Sequence, residues 1–325
     1  MNRPEPLAQQ ADAGPPNLSP AAAAAFASRL RLLAQALQIL PDKPEETPDS
    51  ALRTLWHLAA GNPLSVAAAQ SLELPEPSPE QLARLDALIV RRLQGIPLAY
   101  LTGRQRFMGL DLLAGPEALI PRRETEMLGN AALAKLRTLA DACGTVHAID
   151  VCCGCGNLAL ALAHAEPRAR LHASDLAADA VELARRNTER LGLGDRVELY
   201  TGDLLAPFGI AKFLGRIDMI VSAPPYISAG KLDSMPAEII GHEPSLAFDG
   251  GPFGVGILMR LMRESPAVLR AGGWLGIEVG LGQGPAMLQL LNKSASFDTV
   301  DAVRDAQGQI RVLLARKSGN GSIRA

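Results

Sequence analysis

"VHAIDVCCGCGNLALALAHA", residues 146–165, is the stretch that decides the fold. It starts with the apolar run of a buried strand and ends with the pattern of a helix, and Gly154 and Gly156 lie in the turn between them. Glycines in such a turn let the backbone come close to a ligand and present the N–H groups of a helix amino terminus to it. The stretch therefore predicts a strand–turn–helix unit with a ligand site at the turn.

Strand and helix patterns alternate along the rest of the chain after Pro121. Strands are predicted at 169–175, 197–203, 217–226, 274–280 and 309–316, and helices at 157–165, 177–192, 256–269 and 284–292. Such alternation predicts an α/β, Rossmann-like fold with an open, mostly parallel sheet and helices on both faces. Ligands are expected at the carboxyl ends of the strands.

The first part of the chain has a different pattern. Residues 1–20 contain almost no large apolar residue, which predicts a disordered tail. Residues 21–95 predict a small helical bundle: a first helix that Pro41 and Pro44 end, helices at 52–60 and 66–72, and a fourth that Gly95 ends. Ser78 as N-cap, Pro79 at the first helical position and Gln81 three residues after the cap mark the start of that fourth helix.

Three further segments complete the predicted organisation. Glycines interrupt short apolar runs in residues 96–120, which predicts a hairpin-like linker. Residues 121–317 hold the strand and helix alternation, and residues 318–325 form a flexible tail. The chain is therefore expected to contain two domains joined by this linker.

Composition limits the classes of function. The chain has 325 residues, 48% of them apolar, and 32 basic against 34 acidic residues, so bulk charge does not draw it to nucleic acid or to an anionic membrane. The first twenty residues lack a signal-peptide pattern, and no apolar run approaches the ~20 residues that span a bilayer. We therefore expect a cytoplasmic protein.

All four cysteines, Cys143, Cys152, Cys153 and Cys155, lie within thirteen positions. This spacing suits neither a disulfide framework nor a zinc site with paired C-x-x-C motifs. Reduced thiols and no metal are expected.

Three acidic residues end successive predicted strands: Asp150, Asp175 and Asp203. An acidic residue in the position of Asp175 is suited to accept hydrogen bonds from two ribose hydroxyls, and Asp203 stands where a nucleobase edge would lie. Alone, Asp175 or Asp203 could equally be a helix N-cap. Ala159 replaces the third glycine of the dinucleotide motif, which disfavours a nicotinamide oxidoreductase. Together the residues predict an adenosine ligand without a pyrophosphate, namely S-adenosylmethionine.

With these motifs in view, the chain resembles the release-factor glutamine methyltransferases, the HemK/PrmC family. The resemblance covers roughly residues 85–316 and is carried by "GIPLAYLTGRQRFMGLDLLAGPEALIPRRETE", "DVCCGCGNLALALA", "SDLAADAVELARRN", "IVSAPPYIS", "HEPSLAFDGG" and "LRAGGWLGIEVGLGQG". It implies a seven-stranded methyltransferase domain after a helical substrate-recognition domain. The implied reaction uses S-adenosyl-L-methionine and releases S-adenosyl-L-homocysteine.

The resemblance also implies cofactor-binding positions. The turn formed by Cys152, Cys153, Gly154, Cys155 and Gly156, after Asp150, would hold the methionine and ribose part. Asp175, followed by Leu176, would bind the ribose, and Asp203 and Leu204 would flank the adenine. Phe107, Thr125 and Glu126 match the segment that helps close the site. Cys152 replaces the first glycine of the family's turn.

The substrate side departs from the family at one informative position. The family's acceptor motif is Asn-Pro-Pro-Tyr, whereas "VSAPPYIS", residues 221–228, has Ala223 before Pro224, Pro225 and Tyr226. An amide nitrogen has a delocalised lone pair, so hydrogen-bond acceptors must hold its N–H groups and orient it. Ala223 has no acceptor, and such a loss costs roughly 100-fold to 1,000-fold in rate.

These differences favour a diverged acceptor. Phe253 and Arg123 stand where the family usually has Asp and Pro. We expect methyl transfer to a nucleophilic N, O, S or C atom of a small molecule or a non-standard peptide group. Methylation of a release-factor Gly-Gly-Gln motif is the alternative, and a catalytically silent cofactor-binding protein that docks a partner is a third. His242 is a candidate general base, and Glu243 is expected to act structurally or in closing the cleft.

Overall fold

The computed structural model describes residues 17–228, 230 and 235–319. The chain divides into two compact units. The N-terminal unit runs through Arg106 and includes the later segment Ala237–His242; the C-terminal unit contains Phe107–Pro236 and the chain from Glu243 onward. Most of the two predicted tails, residues 1–16 and 320–325, falls outside the described residues. Residues 17–20 are folded, because the side chain of Ser19 caps the first helix.

The N-terminal unit is helical. Its helices are α1 (Pro20–Ala36), α2 (Pro48–Ala59), α3 (Val66–Gln70), α4 (Pro79–Leu93), α5 (Leu98–Thr102) and, from later in the chain, α9 (Ala237–His242). The capping box of α4 forms as predicted: the Ser78 N–H donates to Gln81 Oε1 at 2.8 Å and the Gln81 N–H donates to Ser78 Oγ at 3.3 Å. α1 ends before Pro41, because Leu37 already adopts an extended conformation.

Helix α9 is tied into this unit by a buried ion network that the sequence patterns do not reveal. The Glu238 carboxylate forms ion pairs with Arg92 at 2.7 Å and with Lys43 at 3.0 Å. Arg92 also forms an ion pair with Glu46 at 3.0 Å. The Lys43, Arg92 and Glu46 side chains are almost fully buried. Removing one partner would leave a buried charge uncompensated, so the network specifies where α9 packs.

The C-terminal unit is built on a seven-stranded sheet of order β5-β4-β3-β6-β7-β9-β8. Its strands are β3 (Val146–Val151), β4 (Ala169–Asp175), β5 (Val197–Thr201), β6 (Ile217–Ser222), β7 (Leu269–Glu278), β8 (Phe297–Arg304) and β9 (Ile310–Lys317). All neighbouring strands pair in parallel except β9, which is antiparallel to β7 and β8. A separate two-stranded sheet, β1 (Arg104–Phe107) and β2 (Leu110–Leu113), lies in the predicted linker.

Helices cover both faces of the seven-stranded sheet. They are α6 (Glu126–Cys143), α7 (Asn157–Ala165), α8 (Ala178–Arg190), α10 (Gly256–Val268) and α11 (Gly284–Lys293). Successive strand residues point to opposite faces, so Val221 packs in the cluster with α6 and α7, whereas Ile220 packs in the cluster with α10 and α11. The predicted Rossmann-like fold with helices on both faces is confirmed.

Two elements of this unit were not predicted. The sequence patterns do not indicate α6, and they do not indicate β8 because only Phe297 of this edge strand is buried. An edge strand faces solvent on much of its surface, so its sequence lacks the apolar run by which β3 and β6 are recognised.

Candidate active site

A cavity of about 260 Å³ lies at the carboxyl ends of β3, β4, β5 and β6 in the C-terminal unit. Among the predicted cofactor residues, it is lined by Thr125, Asp150, Cys152, Cys153, Gly154, Asp175, Leu176, Asp203 and Leu204. Of the predicted acceptor motif, Ala223 and Pro225 line the same cavity. The structure thus brings the strand-end acidic residues and the acceptor motif together.

The other predicted residues do not line this cavity. Phe107 is completely buried in the core, and Glu126 accepts a hydrogen bond of 2.7 Å from the Met108 N–H. Cys155 is buried below the turn, and the carbonyl of Cys155 accepts from the amide of Asn187 at 3.1 Å. His242 belongs to α9 of the N-terminal unit. Gly156, Pro224 and Tyr226 also lie outside the lining, and the roles of all seven residues stay predictions.

The turn after β3 is held in an unusual backbone conformation. Cys152, Gly154 and Gly156 all have positive φ angles, of 60°, 52° and 84°. A Cβ atom on Gly156 would lie 3.1 Å from Leu160 and 3.2 Å from Ala184, so glycine is needed there both for conformation and for close packing. At Cys152 a non-glycine residue adopts this conformation, at a cost of roughly 1–2 kcal/mol.

The cysteines near the turn are neutral thiols. Burial raises the pKa of Cys155 to about 12 and also raises the pKa values of Cys152 and Cys153. A thiolate is the form that attacks electrophiles or binds metals, so these thiols serve packing. In the described part of the chain, no three His, Cys, Asp or Glu side chains are grouped in a way that could hold a metal ion.

Asp150 carries an unsatisfied oxygen at the cavity. Its Oδ2 accepts from the Ala159 N–H at 3.0 Å, in the first turn of α7, whereas Oδ1 has no hydrogen-bond partner among the described residues. Burial raises the pKa of this carboxyl to about 8. A buried polar atom without a partner is costly, so a polar group of a bound ligand fits beside it.

Asp175 joins the ends of two loops. Its Oδ2 accepts from the Gly154 N–H at 2.9 Å and its Oδ1 accepts from the Ala177 N–H at 3.0 Å. A carboxylate has about four lone-pair sites, so acceptor capacity remains for two hydroxyl donors. The acceptor oxygens of Asp150 and Asp175 therefore fit an adenosine ligand with a methionine substituent.

Asp203 is paired with a residue that the sequence did not single out. Arg260 of α10 reaches it with both terminal nitrogens, Nη1 to Oδ1 at 3.1 Å and Nη2 to Oδ2 at 2.9 Å, and also lines the cavity. The two residues are 57 positions apart, and no motif marks Arg260.

A second unpredicted pair anchors one wall of the cavity. The Glu243 carboxylate accepts from Arg122 Nη2 at 2.6 Å and from the Ile120 N–H at 3.1 Å. Pro121 and Arg122 line the cavity, and the Glu243 side chain is fully buried. The structural role expected for Glu243 is consistent with these contacts.

Several hydrogen bonds hold the acceptor motif in place. The Tyr226 hydroxyl donates to Glu278 Oε1 at 3.1 Å. Gln283 Nε2 donates to the Tyr226 carbonyl at 2.9 Å and to the Gly254 carbonyl at 3.1 Å, while Gln283 Oε1 accepts from the Gly280 N–H at 2.9 Å. Gln283 thereby joins the acceptor motif to the "GGPFG" segment, residues 250–254.

The "GGPFG" segment lies against the backbone of the acceptor motif. A Cβ atom on Gly250 would lie 2.8 Å from the Pro225 carbonyl oxygen, and one on Gly254 would overlap the Tyr226 carbonyl oxygen. The Gly250 N–H donates to the Ile227 carbonyl at 2.9 Å. Between these glycines Phe253 has a φ of 61° and is 86% exposed.

Comparison with known proteins identifies the family. The family model described as "PrmC N-terminal domain" matches residues 31–103, and "Methyltransferase small domain" matches residues 128–255. The release factor glutamine methyltransferase of Moorella thermoacetica is 39% identical over 240 residues, which cover 74% of this chain and 82% of that protein. The chain belongs to the release factor glutamine methyltransferase family. The resemblance found in the sequence is confirmed.

Further relatives agree with this assignment. The Geobacter sulfurreducens protein of the same name is 36% identical over 74% of this chain and 80% of its own length, and that of Xylella fastidiosa is 35% identical over 81% and 88%. This family member is an S-adenosylmethionine-dependent methyltransferase, as the strand-end residues predicted.

One solved structure shares the fold. A crystal structure of the hMettl16 catalytic domain in complex with MAT2A 3'UTR hairpin 6 matches with a TM-score of 0.50 and 15% identity, covering 77% of this chain and 85% of that one. Within the described residues, none of the helices combines the length and apolar character needed to cross a bilayer.

Proposed function

We propose that this protein transfers the methyl group of S-adenosylmethionine to the side-chain amide nitrogen of a glutamine in a release factor. The observation that carries the proposal is the set of contacts that holds the acceptor motif in place. Gln283 binds the Tyr226 carbonyl, Glu278 binds the Tyr226 hydroxyl, and two glycines lie against the motif's backbone. The names of the relatives support the same acceptor.

Several of the predicted site residues have a role in this proposal. The 152–156 turn and Asp150 bind the methionine part, Asp175 binds the ribose, and Asp203 and Leu204 flank the adenine. When bound, the cofactor supplies an electrophilic methyl carbon on a sulfonium. Residues 21–95 recognise the release factor. Since release factors act in translation, we expect the protein to work in the cytoplasm.

The acceptor side positions the nucleophile. The Pro224 carbonyl accepts one N–H of the glutamine amide, and the Tyr226 ring packs on the flat amide group. The amide nitrogen forms the new N–C bond while the S–C bond breaks, and the nitrogen loses one proton to solvent. Ala223 leaves the second N–H without the acceptor that an asparagine would provide, so we expect a rate roughly 100-fold to 1,000-fold below that of an enzyme with asparagine.

A second candidate function rests on Ala223 itself. The nucleophile could instead be an amine, a thiol, a heterocyclic nitrogen, an oxyanion or a stabilised carbanion. Unlike an amide nitrogen, such a group does not depend on hydrogen-bond acceptors to orient its lone pair, so the site needs mainly to position it. The side chain of Ala223 lines the cavity without a polar atom, and Phe253 exposes an aromatic ring near the motif. These two features favour a small-molecule or non-standard peptide acceptor.

The deciding experiment measures methyl transfer to a full-length release factor and to its Gly-Gly-Gln peptide, with the product located by mass spectrometry. Three proteins are compared: the wild type, Ala223→Asn, and Ala223→Leu. Leucine is close to asparagine in size but has no hydrogen-bond acceptor, so Ala223→Leu is the control. Under the proposal, the wild type methylates the glutamine slowly, and only Ala223→Asn is ~100-fold faster. Transfer by Ala223→Asn but none by the wild type would instead support the second candidate. Transfer by neither would refute a glutamine acceptor.

A further inference from the structure

We infer that Arg260 is the positioning residue for the adenine of the cofactor: it holds the Asp203 carboxylate in the orientation that accepts the adenine amino group. The inference rests on the proposed placement of the adenine beside Asp203. Both residues line the cavity at the carboxyl end of the sheet.

The geometry fixes both partners. Arg260 contacts the two Asp203 oxygens through its two terminal nitrogens, at 3.1 and 2.9 Å. Its remaining nitrogen, Nε, donates to Glu264 at 3.2 Å, one helical turn further along α10. The guanidinium is therefore held between two carboxylates, and a planar fork of this kind fixes the plane of the carboxylate that it grips.

The pairing leaves acceptor capacity on Asp203. Each carboxylate oxygen has two lone pairs, and the fork of Arg260 uses one on each oxygen. The remaining lone pairs can accept from the 6-amino group of adenine. Hypoxanthine carries a carbonyl oxygen at this position, so a fixed carboxylate would repel it. Without Arg260 the Asp203 side chain, which is 51% exposed, is free to rotate and hydrate.

This chemistry predicts ligand discrimination. The wild type should bind S-adenosylhomocysteine at least ~10-fold more tightly than S-inosylhomocysteine, because an unpaired polar contact in a binding site is costly. Arg260→Gln should lower that ratio several-fold, and Arg260→Lys should retain an intermediate ratio, since lysine keeps the charge and loses the fork.

The experiment is calorimetric titration of both ligands into the wild type, Arg260→Gln, Arg260→Lys and Asp203→Asn. Arg263→Gln is the matched control, because Arg263 lies on the same helix, is 71% exposed and contacts Glu264 at 3.5 Å. The control should keep the wild-type ratio. Asp203→Asn should abolish the preference, because its amide can donate to the hypoxanthine oxygen.

Each other outcome overturns the inference. An unchanged ratio in Arg260→Gln, with both ligands weakened equally, would give Arg260 a structural role only. Tighter binding of S-adenosylhomocysteine by Arg260→Gln would mean that Arg260 blocks the adenine position. Equal Kd values for the two ligands in the wild type would show that adenine does not bind beside Asp203. A misfolded fraction changes the stoichiometry and leaves the ratio of the two Kd values intact. No methyl acceptor is present, so failure of the glutamine proposal does not affect the result.

Discussion

The hydroxyl of Tyr226 donates a 3.1 Å hydrogen bond to Oε1 of Glu278, a carboxylate that is only 3% exposed. Tyr226 closes the acceptor motif, and Glu278 is the last residue of β7. Burial raises the pKa of Glu278, and burial also raises the pKa of Tyr226. The last residue of the predicted acceptor motif is therefore attached to a central strand through a buried acid.

Removing this hydroxyl should destabilise the C-terminal unit. We expect Tyr226→Phe to lower the free energy of unfolding by about 1–3 kcal/mol, because a buried acceptor loses its donor. Tyr200→Phe is the control, since Tyr200 donates to Glu198, which is exposed, and it should cost less. Urea denaturation followed by Trp274 fluorescence in a Trp56→Phe background measures both changes. Equal losses in the two variants would contradict a special role for the buried pair.

Asp150 should make stability depend on pH. Burial raises its pKa to about 8, above the usual 3.8, so between pH 4 and pH 8 the folded state keeps a proton that the unfolded state has lost. The contribution of Asp150 is therefore fully present below pH 4 and declines as pH rises to 8, with a slope of up to about 1.4 kcal/mol per pH unit.

Asp150→Asn removes the ionisable carboxyl and keeps a side-chain oxygen that can accept from the Ala159 N–H. Denaturation of the wild type and of this variant at pH 5 and pH 7.5 tests the expectation. The difference in unfolding free energy between the two proteins should shift in favour of the variant at the higher pH. A constant difference would show that Asp150 is ionised in the folded protein at both values.

The contact between the "GGPFG" segment and the acceptor motif can be separated from backbone strain. Gly254 and Gly251 both have positive φ angles, of 68° and 75°, but only at Gly254 would an added Cβ meet the Tyr226 carbonyl; at Gly251 it would meet nothing within 4 Å. Gly251→Ala should cost about 1–3 kcal/mol for backbone strain alone, because a φ of 75° with a ψ of −165° is a conformation essentially confined to glycine.

Gly254→Ala should cost that amount plus displacement of the motif, with a kcat at least ~10-fold lower. Kinetics on whichever acceptor is methylated, together with cofactor titration, measure this. Equal kcat values for the two alanine variants would show that the contact does not position the acceptor motif.

Asp175 is expected to contribute directly to cofactor affinity. Asp175→Asn replaces a carboxyl acceptor with an amide whose N–H donors would face the ribose hydroxyls, so the Kd for S-adenosylhomocysteine should rise by roughly 10-fold to 100-fold. Asp179→Asn, an exposed change in the first turn of α8, is the control and should leave the Kd unchanged. A similar Kd for both variants would place the ribose elsewhere.

Much of the fold follows from short stretches of sequence. The helix Asn157–Ala165 and the strand Ala169–Asp175 have the predicted bounds, and the capping box at Ser78 forms as predicted. Parallel strands end at the same edge of a sheet, which is why Asp150, Asp175 and Asp203 could be expected to meet. The cavity that they share has Ala223 in its lining.

Other features were decided only by the tertiary structure. The pairing of Arg260 with Asp203, that of Arg122 with Glu243 and the ion network around Glu238 join residues that are 57, 121 and up to 195 positions apart. Local periodicity and capping report interactions within a few residues, so they determine strands, helices and turns. Which charged side chain meets which depends on how those elements pack, and a single sequence carries no local signal for it.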